Sequence, residues 1–266
     1  MDTNWLKQEY FKPLFDQLIW NKPEQKSQAG TLLIVGGNAH AINAPNEAYS
    51  LAKYAGIGDA KVLLPRHTKK FFMGKLPTDV ELLDDTPSGS FSTKGLVDFP
   101  SYLNWADATL FAGDIGRNSE TAIFIETIAR DFGGIQIYTR DAIEYFSSNP
   151  YEIFNRPNTL LVVSLAQLQK LLVSLKETEP ITFDMGIVKL SKVLSNITTK
   201  YRITIVVQYG AHILCSNDGL GVVTEIPLVP SSWRLKTATT ASVWWAQNPQ
   251  KPLEAIATAV TQINWT

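Results

Sequence analysis

The sequence predicts an α/β fold: a mostly parallel central sheet, helices on both faces, and an antiparallel hairpin late in the chain. Three observations carry that expectation. Strand-like apolar runs alternate with helix-like segments over most of the 266 residues, the pattern of successive strand–helix–strand units. Several runs stop at glycine-rich turns, as Leu32-Leu33-Ile34-Val35 does at Gly36-Gly37-Asn38. Late in the chain Asn217-Asp218-Gly219 separates two β-compatible runs, 212–215 and 221–224, and Asp-Gly in that setting signals a tight hairpin.

Taken in order, residues 3–20 place Trp5, Leu6, Phe11, Leu14, Phe15, Leu18 and Ile19 at near-helical spacing, interrupted by Pro13. Two short helical pieces or one kinked helix are expected within an N-terminal helical segment, 1–25. A polar loop follows to residue 30. The strand at 32–35 leads through a second polar loop, 39–46, to a helix over 47–54. A break at Ala55-Gly56-Ile57-Gly58 precedes a strand at 61–64. That unit dictates a parallel pair with a crossover, and ligands of open α/β sheets gather beyond the carboxyl end of such strands.

A short helix is expected over 67–76, a strand at 80–83, a loop over 84–94 and a short helix over 96–105. The buried strand 108–112 is cut off by Gly113-Asp114-Ile115-Gly116. Ser119 is the expected N-cap of a helix over 120–132. A strand at 135–138, a helix at 140–146, a strand at 158–163 and a helix at 165–175 come next. Residues 186–201 form a long amphipathic helix, and the β-branched run 203–207 a strand. After the hairpin, 230–266 reads as two helices split by Asn248-Pro249. No polar linker divides the chain, so one domain over 1–266 is expected.

Charge is balanced, at a formal −1 and a pI near 6.3. No basic excess points to a nucleic-acid partner, and no apolar run has the length that a bilayer requires, so no membrane partner is expected. The first residues lack the layout of a secretion signal. The lone cysteine, Cys215, precludes an internal disulfide framework and suits a reducing compartment. The expected localisation is cytoplasmic. No cluster of His, Cys, Asp and Glu has metal-ligand spacing, so no metal site is expected.

Short motifs then succeed one another along the chain. Lys26 stands before the first glycine-ended strand; Gly36-Gly37-Asn38 opens a loop that closes at Ala44-Pro45; Ala55-Gly56-Ile57-Gly58, Ala112-Gly113-Asp114-Ile115-Gly116, Thr139-Arg140-Asp141-Ala142-Ile143, Tyr209-Gly210 and Pro252-Leu253-Glu254-Ala255 follow. In this succession, over residues 26–259, the chain resembles the NAD(P)H-hydrate dehydratases, a branch of the ribokinase-like superfamily. Members carry Gly-Gly-Ser, Ala-Gly-Ala-Gly, Gly-Pro-Gly-Leu-Gly, Asp-Ala-Asp-Ala-Leu, Lys-Gly and Pro-Leu-Glu-Ala at the corresponding places. The resemblance implies a ribokinase-like fold. It also implies a reaction in which ATP or ADP, with Mg, phosphorylates the hydroxyl of hydrated NADH or NADPH, and loss of phosphate restores the dihydronicotinamide.

The departures fall on the chemistry. The family's Gly-Thr-Gly-Asp supplies an anion hole from its amides and a base from its Asp. Residues 235–243 stand there with neither glycine nor acid. The family's Thr-Pro-His-x-Gly-Glu becomes residues 163–168, without the His or the Glu. The candidate substrate- or nucleotide-binding residues are Gly36, Gly37, Asn38, His40, Gly113, Gly116, Gly210, Thr237, Thr239 and Thr240. The threonines, with Ser242, offer hydroxyl donors at a helix start in place of the anion hole, or simply cap that helix. Asp114 is the candidate replacement acid, against the plainer reading of a solvated loop carboxylate. Asp141 is expected to cap the helix at 142–146. His40 reads first as a solvated loop imidazole, and the glycines also as turns that end parallel strands. Cys215 and Trp244-Trp245 read as core.

The favoured reading is a relative with a degenerate phosphoryl-transfer site, non-catalytic and serving in nucleotide binding or assembly. An active dehydratase with relocated catalytic groups and a small-molecule kinase are the alternatives. The expected cofactor is ATP or ADP, with Mg if the protein is active, and the expected partner a nucleotide-like small molecule. A homo-oligomer is also allowed, with the aromatic segment of Trp5, Tyr10, Phe11, Phe15 and Trp20 as its candidate contact. A crevice plugged by Trp233, Arg234 or Trp244 would favour the non-catalytic reading.

Overall fold

The computed structural model describes residues 4–227 and 229–265. In chain order the elements are β1 (Trp5–Glu9), α1 (Asp16–Trp20), β2 (Thr31–Gly36), α2 (Asn43–Ala55), β3 (Asp59–Pro65), β4 (Val80–Leu83), α3 (Phe99–Trp105), β5 (Ala108–Gly113) and α4 (Ser119–Asp131). Then come β6 (Ile135–Thr139), α5 (Tyr151–Phe154), β7 (Thr159–Val163), α6 (Leu165–Ser174), α7 (Ile187–Tyr201), β8 (Thr204–Tyr209), β9 (His212–Asn217), β10 (Leu220–Glu225), α8 (Trp233–Gln247) and α9 (Pro252–Thr261).

The ten strands form one sheet in the order β1-β10-β9-β8-β7-β6-β5-β2-β3-β4. Strands β4 through β8 of that order run parallel, and β9 is antiparallel to both β8 and β10. The turn between β9 and β10 has Asp218 and Gly219 at positive φ, 47° and 78°, the two-residue geometry that Asp-Gly favours.

Why the central strands read as unbroken apolar runs is plain from β2. Leu32 and Ile34 pack into the core under α2, α8 and α9, while Leu33 and Val35 pack under α4, α6 and α7. A parallel strand covered on both faces has no solvent side to be polar on. Helices thus layer both faces, as expected. The lone cysteine, Cys215, is core, and burial pushes its thiol well above the ordinary range. Trp244 and Trp245 are core as well.

The N-terminal helical segment needs correction. Residues 5–9 are a strand, paired in parallel with β10, and among the described residues of the segment only Asp16–Trp20 is helical. The Trp5 ring lies on Gly221, where a Cβ would fall 2.4 Å from the ring, and its indole N–H donates to Ser195 Oγ at 2.7 Å. Gln8 donates to Thr224 Oγ1 and Ala257 O. Tertiary partners on an otherwise open sheet edge overrode local spacing. The expected helices at 67–76 and 140–146 are 3-10 turns, Arg66–Phe72 and Arg140–Phe146.

From β2 the chain proceeds outward to β3 and β4, then returns to β5 on the other side of β2 and continues to β8. At such a reversal the loops leaving two neighbouring strands diverge, and a crevice opens beyond their carboxyl ends. Here those ends are Gly36 and Gly113.

Candidate functional site

Two glycines bring the ends of β2 and β5 into close approach. A Cβ on Gly36 would fall 2.6 Å from the Gly113 carbonyl oxygen. Gly113 itself has φ +106°, and a Cβ there would lie 2.8 Å from both Arg140 Nε and Asp141 Oδ1. Only glycine permits this approach. Gly37 N–H then donates to Gly113 O at 3.1 Å, stitching the two loops together.

Side chains complete the stitching. Asn38 Nδ2 donates to Asp114 O at 2.6 Å, and Asn38 Oδ1 accepts from His40 N–H at 2.8 Å. Asn38 is therefore a latch between loops. His40 is exposed at the rim.

Asp114 is committed twice. Its Oδ2 accepts the Ala44 N–H, in the first turn of α2, at 2.7 Å, and its Oδ1 accepts from Arg140 Nη2 at 3.0 Å. The residue before α2, Ile42, offers no cap of its own. Asp114 thus caps α2 from across the crevice and is not the free loop carboxylate that its place in the sequence allowed. Asp141 is corrected likewise. Its Oδ2 accepts from Ile115 N–H at 2.8 Å and Gly116 N–H at 3.2 Å, so it holds the second glycine loop and not its own turn. Gly116 O accepts from the Tyr145 hydroxyl. A helix N-terminus and a pair of convergent amides are the backbone's two anion receptors. In this crevice both already hold the chain's own carboxylates.

The opposite wall is built on α6. Ser164 and Gln167 form a capping box at its start. The Gln167 amide donates to Arg140 O at 2.8 Å and Glu144 Oε1 at 3.1 Å, while its Oε1 accepts from Arg234 Nη1 at 2.8 Å. Lys170 donates to Glu144 at 2.8 Å. Burial alone would raise the Glu144 carboxyl, but hydrogen bonds from Lys170 and Gln167 hold it below its ordinary value.

Arg234 comes from the first turn of α8. Burial, and after it the neighbouring Arg140, lower its pKa, with Glu144 and Asp141 opposing. Asp114, Arg140, Asp141, Glu144, Gln167 and Arg234 face a cavity of about 490 Å³. A second cavity, of about 520 Å³, is lined by Ser164, Leu165 and Ala166 with Phe183, Tyr209 and Gly210. The two meet at the start of α6, and Gly210 belongs to the second.

Thr237, Thr239 and Thr240 do not join this site. They lie inside α8, a turn or more past its first residue, Trp233, and all three are buried. Thr237 Oγ1 and Thr239 Oγ1 have no hydrogen-bond partner, and Thr240 lines a separate cavity beside Lys22 and Trp244. They neither cap the helix nor replace an anion hole, because the helix begins earlier than its threonines suggest. Ser119 is likewise the first helical residue of α4, and Asn118 is its cap, accepting from Glu120 N–H and Thr121 N–H. Of the residues that could plug the crevice, Arg234 enters it; Trp233 and Trp244 are core. Arg140 and Gln167 carried little signal beforehand. The Ser164-x-x-Gln167 spacing before an apolar run marks a capping box, but nothing in it shows that the Gln serves two arginine-bearing elements.

Among the described residues, no group of three or more His, Cys, Asp or Glu is placed to hold a metal ion, and no helix is long and apolar enough to cross a membrane.

No family model and no curated protein matches the chain. Solved structures do resemble it. A ribokinase-like superfamily protein from Enterococcus faecalis superposes with a TM-score of 0.71 at 14% identity, over 97% of this chain and 86% of that one. An ADP/ATP-dependent NAD(P)H-hydrate dehydratase from Bacillus subtilis, co-crystallized with ATP and Mg2+ and soaked with CoA, does so with a TM-score of 0.59 at 10% identity, over 93% and 85%. Pyridoxal kinase from Staphylococcus aureus, in complex with AMP-PCP and pyridoxal, gives 0.56 at 11% identity, over 86% and 84%. The chain has the ribokinase-like α/β fold.

Proposed function

We propose that this protein is a non-catalytic relative of the NAD(P)H-hydrate dehydratases that holds a nucleotide-like ligand in the crevice over Gly36, Gly37, Gly113 and Gly116. One observation carries the reading: the crevice's backbone anion receptors are filled by Asp114 and Asp141. Phosphoryl transfer needs a base for the acceptor hydroxyl and preorganised donors aimed at the transferring phosphate. Asp114 has both oxygens engaged, one of them by a guanidinium. The amides of Ile115 and Gly116 are taken.

The residues do not fit a magnesium ion either. Asp141 Oδ1, the carboxylate oxygen left without a partner, shares the space above Gly113 with Arg140 Nε, and that fixed cation repels a second one. What remains is an open polar cleft with side-chain donors, in which Asp114 and Glu144 are tied to cations and Asp141 Oδ1 is held beside Arg140 Nε.

Two assays test this. Incubation with hydrated NADH or NADPH and ATP or ADP with Mg, while following the dihydronicotinamide absorbance, is expected to give no enzymatic recovery; turnover would overturn the reading. Calorimetry with ATP, ADP, AMP, NADH and NADPH is expected to detect binding of at least one; silence at millimolar ligand would remove the binding half of the proposal.

A further inference from the structure

Arg234 is cationic and half-buried, yet it donates to a neutral amide oxygen, that of Gln167. Among the described residues it makes no ion pair, whereas Arg140, Lys170 and Glu144 beside it are all paired. Arg140 spends one terminal nitrogen on Asp114 and keeps its Nε buried without a partner. Arg117 lines the same cavity and, among the described residues, forms no ion pair or hydrogen bond. Two guanidiniums from different elements, the turn after β6 and the first turn of α8, therefore converge on one cavity with unused donors and with mutual repulsion. Glu144 and Asp141 on the same cavity offset part of that repulsion, but among the described residues neither forms an ion pair with Arg234. A planar guanidinium presents donors in the spacing of phosphate oxygens, and a dianion between two of them removes the repulsion and fills the donors at once.

We propose that Arg140 and Arg234 form a clamp for a phosphoryl or pyrophosphoryl group, with Arg117 at its rim. The clamp rests on the nucleotide reading for the rest of its ligand, but its own chemistry is that of a phosphate dianion. It moves anion recognition from fixed amides to side chains. That suits retention of a ground-state ligand and provides no fixed donors for a migrating charge.

The test is calorimetry of the full chain at low salt with inorganic pyrophosphate and, separately, with ADP and adenosine, on wild type and Arg234→Gln. Wild type is expected to bind pyrophosphate and ADP, and Arg234→Gln to lose at least tenfold in affinity for both, with adenosine unaffected. Arg234→Lys keeps the charge but not the fork and is expected to recover only part of the loss. Phenylglyoxal labelling of wild type gives a reading independent of any variant: pyrophosphate should protect Arg234. The clamp is overturned if wild type binds no pyrophosphate, or if Arg234→Gln binds it as wild type does. If ADP binds equally well to both proteins, the clamp falls and the nucleotide reading stands. If pyrophosphate binds through Arg234 while no nucleotide binds, the clamp stands and the nucleotide reading falls.

Discussion

The two sides of the crevice are built on opposite terms. On the glycine-loop side the backbone donors are answered within the chain: Asp114 caps α2, Asp141 holds the amides of Ile115 and Gly116, and Asn38 ties the loops. On the α6–α8 side Arg234 faces Arg140 with an amide oxygen for company. The first side is finished by folding. The second is left electrostatically unfinished, and unfinished charge in a cleft is where a ligand has something to add. Glycine loops at strand ends are thus not evidence of an open phosphate site. What matters is whether their donors are still unoccupied.

Substitutions should separate the two sides. Gly113→Ala is expected to have the largest effect, a loss of about 3 kcal/mol in denaturant unfolding. Left-handed strain of roughly 1–2 kcal/mol combines there with a Cβ driven against Arg140 and Asp141. A variant as stable as wild type would mean that the loops are not held as described. Asp141→Ala comes next. It strands two loop amides, that of the fully buried Ile115 among them, at an expected cost of about 2 kcal/mol. Asp141→Asn should recover part of that, and added formate, compared with chloride at equal ionic strength, should raise the melting temperature of Asp141→Ala more than that of wild type. Equal formate responses would break the idea that these amides form an anion receptor filled from within.

The sequence carried the fold well and the site poorly, for a physical reason. Strand periodicity, glycine stops and the Asp218-Gly219 turn are local signals, and each landed on the element it announced. The misplaced elements are those settled by distant partners. Residues 5–9 became a strand because β10 offered an edge and Gly221 a seat for Trp5. The site is harder still, because its decisive contacts join residues far apart in the chain. Asp114 meets Ala44, Asp141 meets Ile115, and Gln167 meets Arg234. No spacing rule pairs a carboxylate with the amide of another loop. The threonines of α8 misled for a related reason. A Thr-rich stretch resembles a cap until packing shows the helix starting at Trp233 and the threonines lying against the sheet.

Between the two sides stands Glu144, tied to Lys170 and Gln167. Its carboxyl sits below its ordinary value of 4.5. The stability it contributes is therefore fully present above that value and is lost as pH falls through the lower folded-state value. Because the pair is largely exposed, the contribution is expected below about 0.5 kcal/mol. Glu144→Gln should lower stability by that small amount at neutral pH and make no difference once the carboxyl is protonated, so that the acid limb of its stability–pH curve is slightly flatter. A loss at neutral pH as large as that of Asp141→Ala would place Glu144 on the latched side instead.

The smallest effect on stability is expected at Arg234, and its sign is the informative part. Replacing it by Gln removes one hydrogen bond to Gln167, at a cost of about 1 kcal/mol. It also removes a partly buried cation and its repulsion from Arg140, a gain of similar size. The balance should lie within about 0.5 kcal/mol of zero, measured without ligand at low salt, and should shift toward a net gain when sulfate is left out of the buffer. A residue whose loss leaves the fold untouched while abolishing pyrophosphate binding is kept for the ligand. If Arg234→Gln instead costs as much as Asp141→Ala, Arg234 is one more internal latch, and both sides of the crevice are closed.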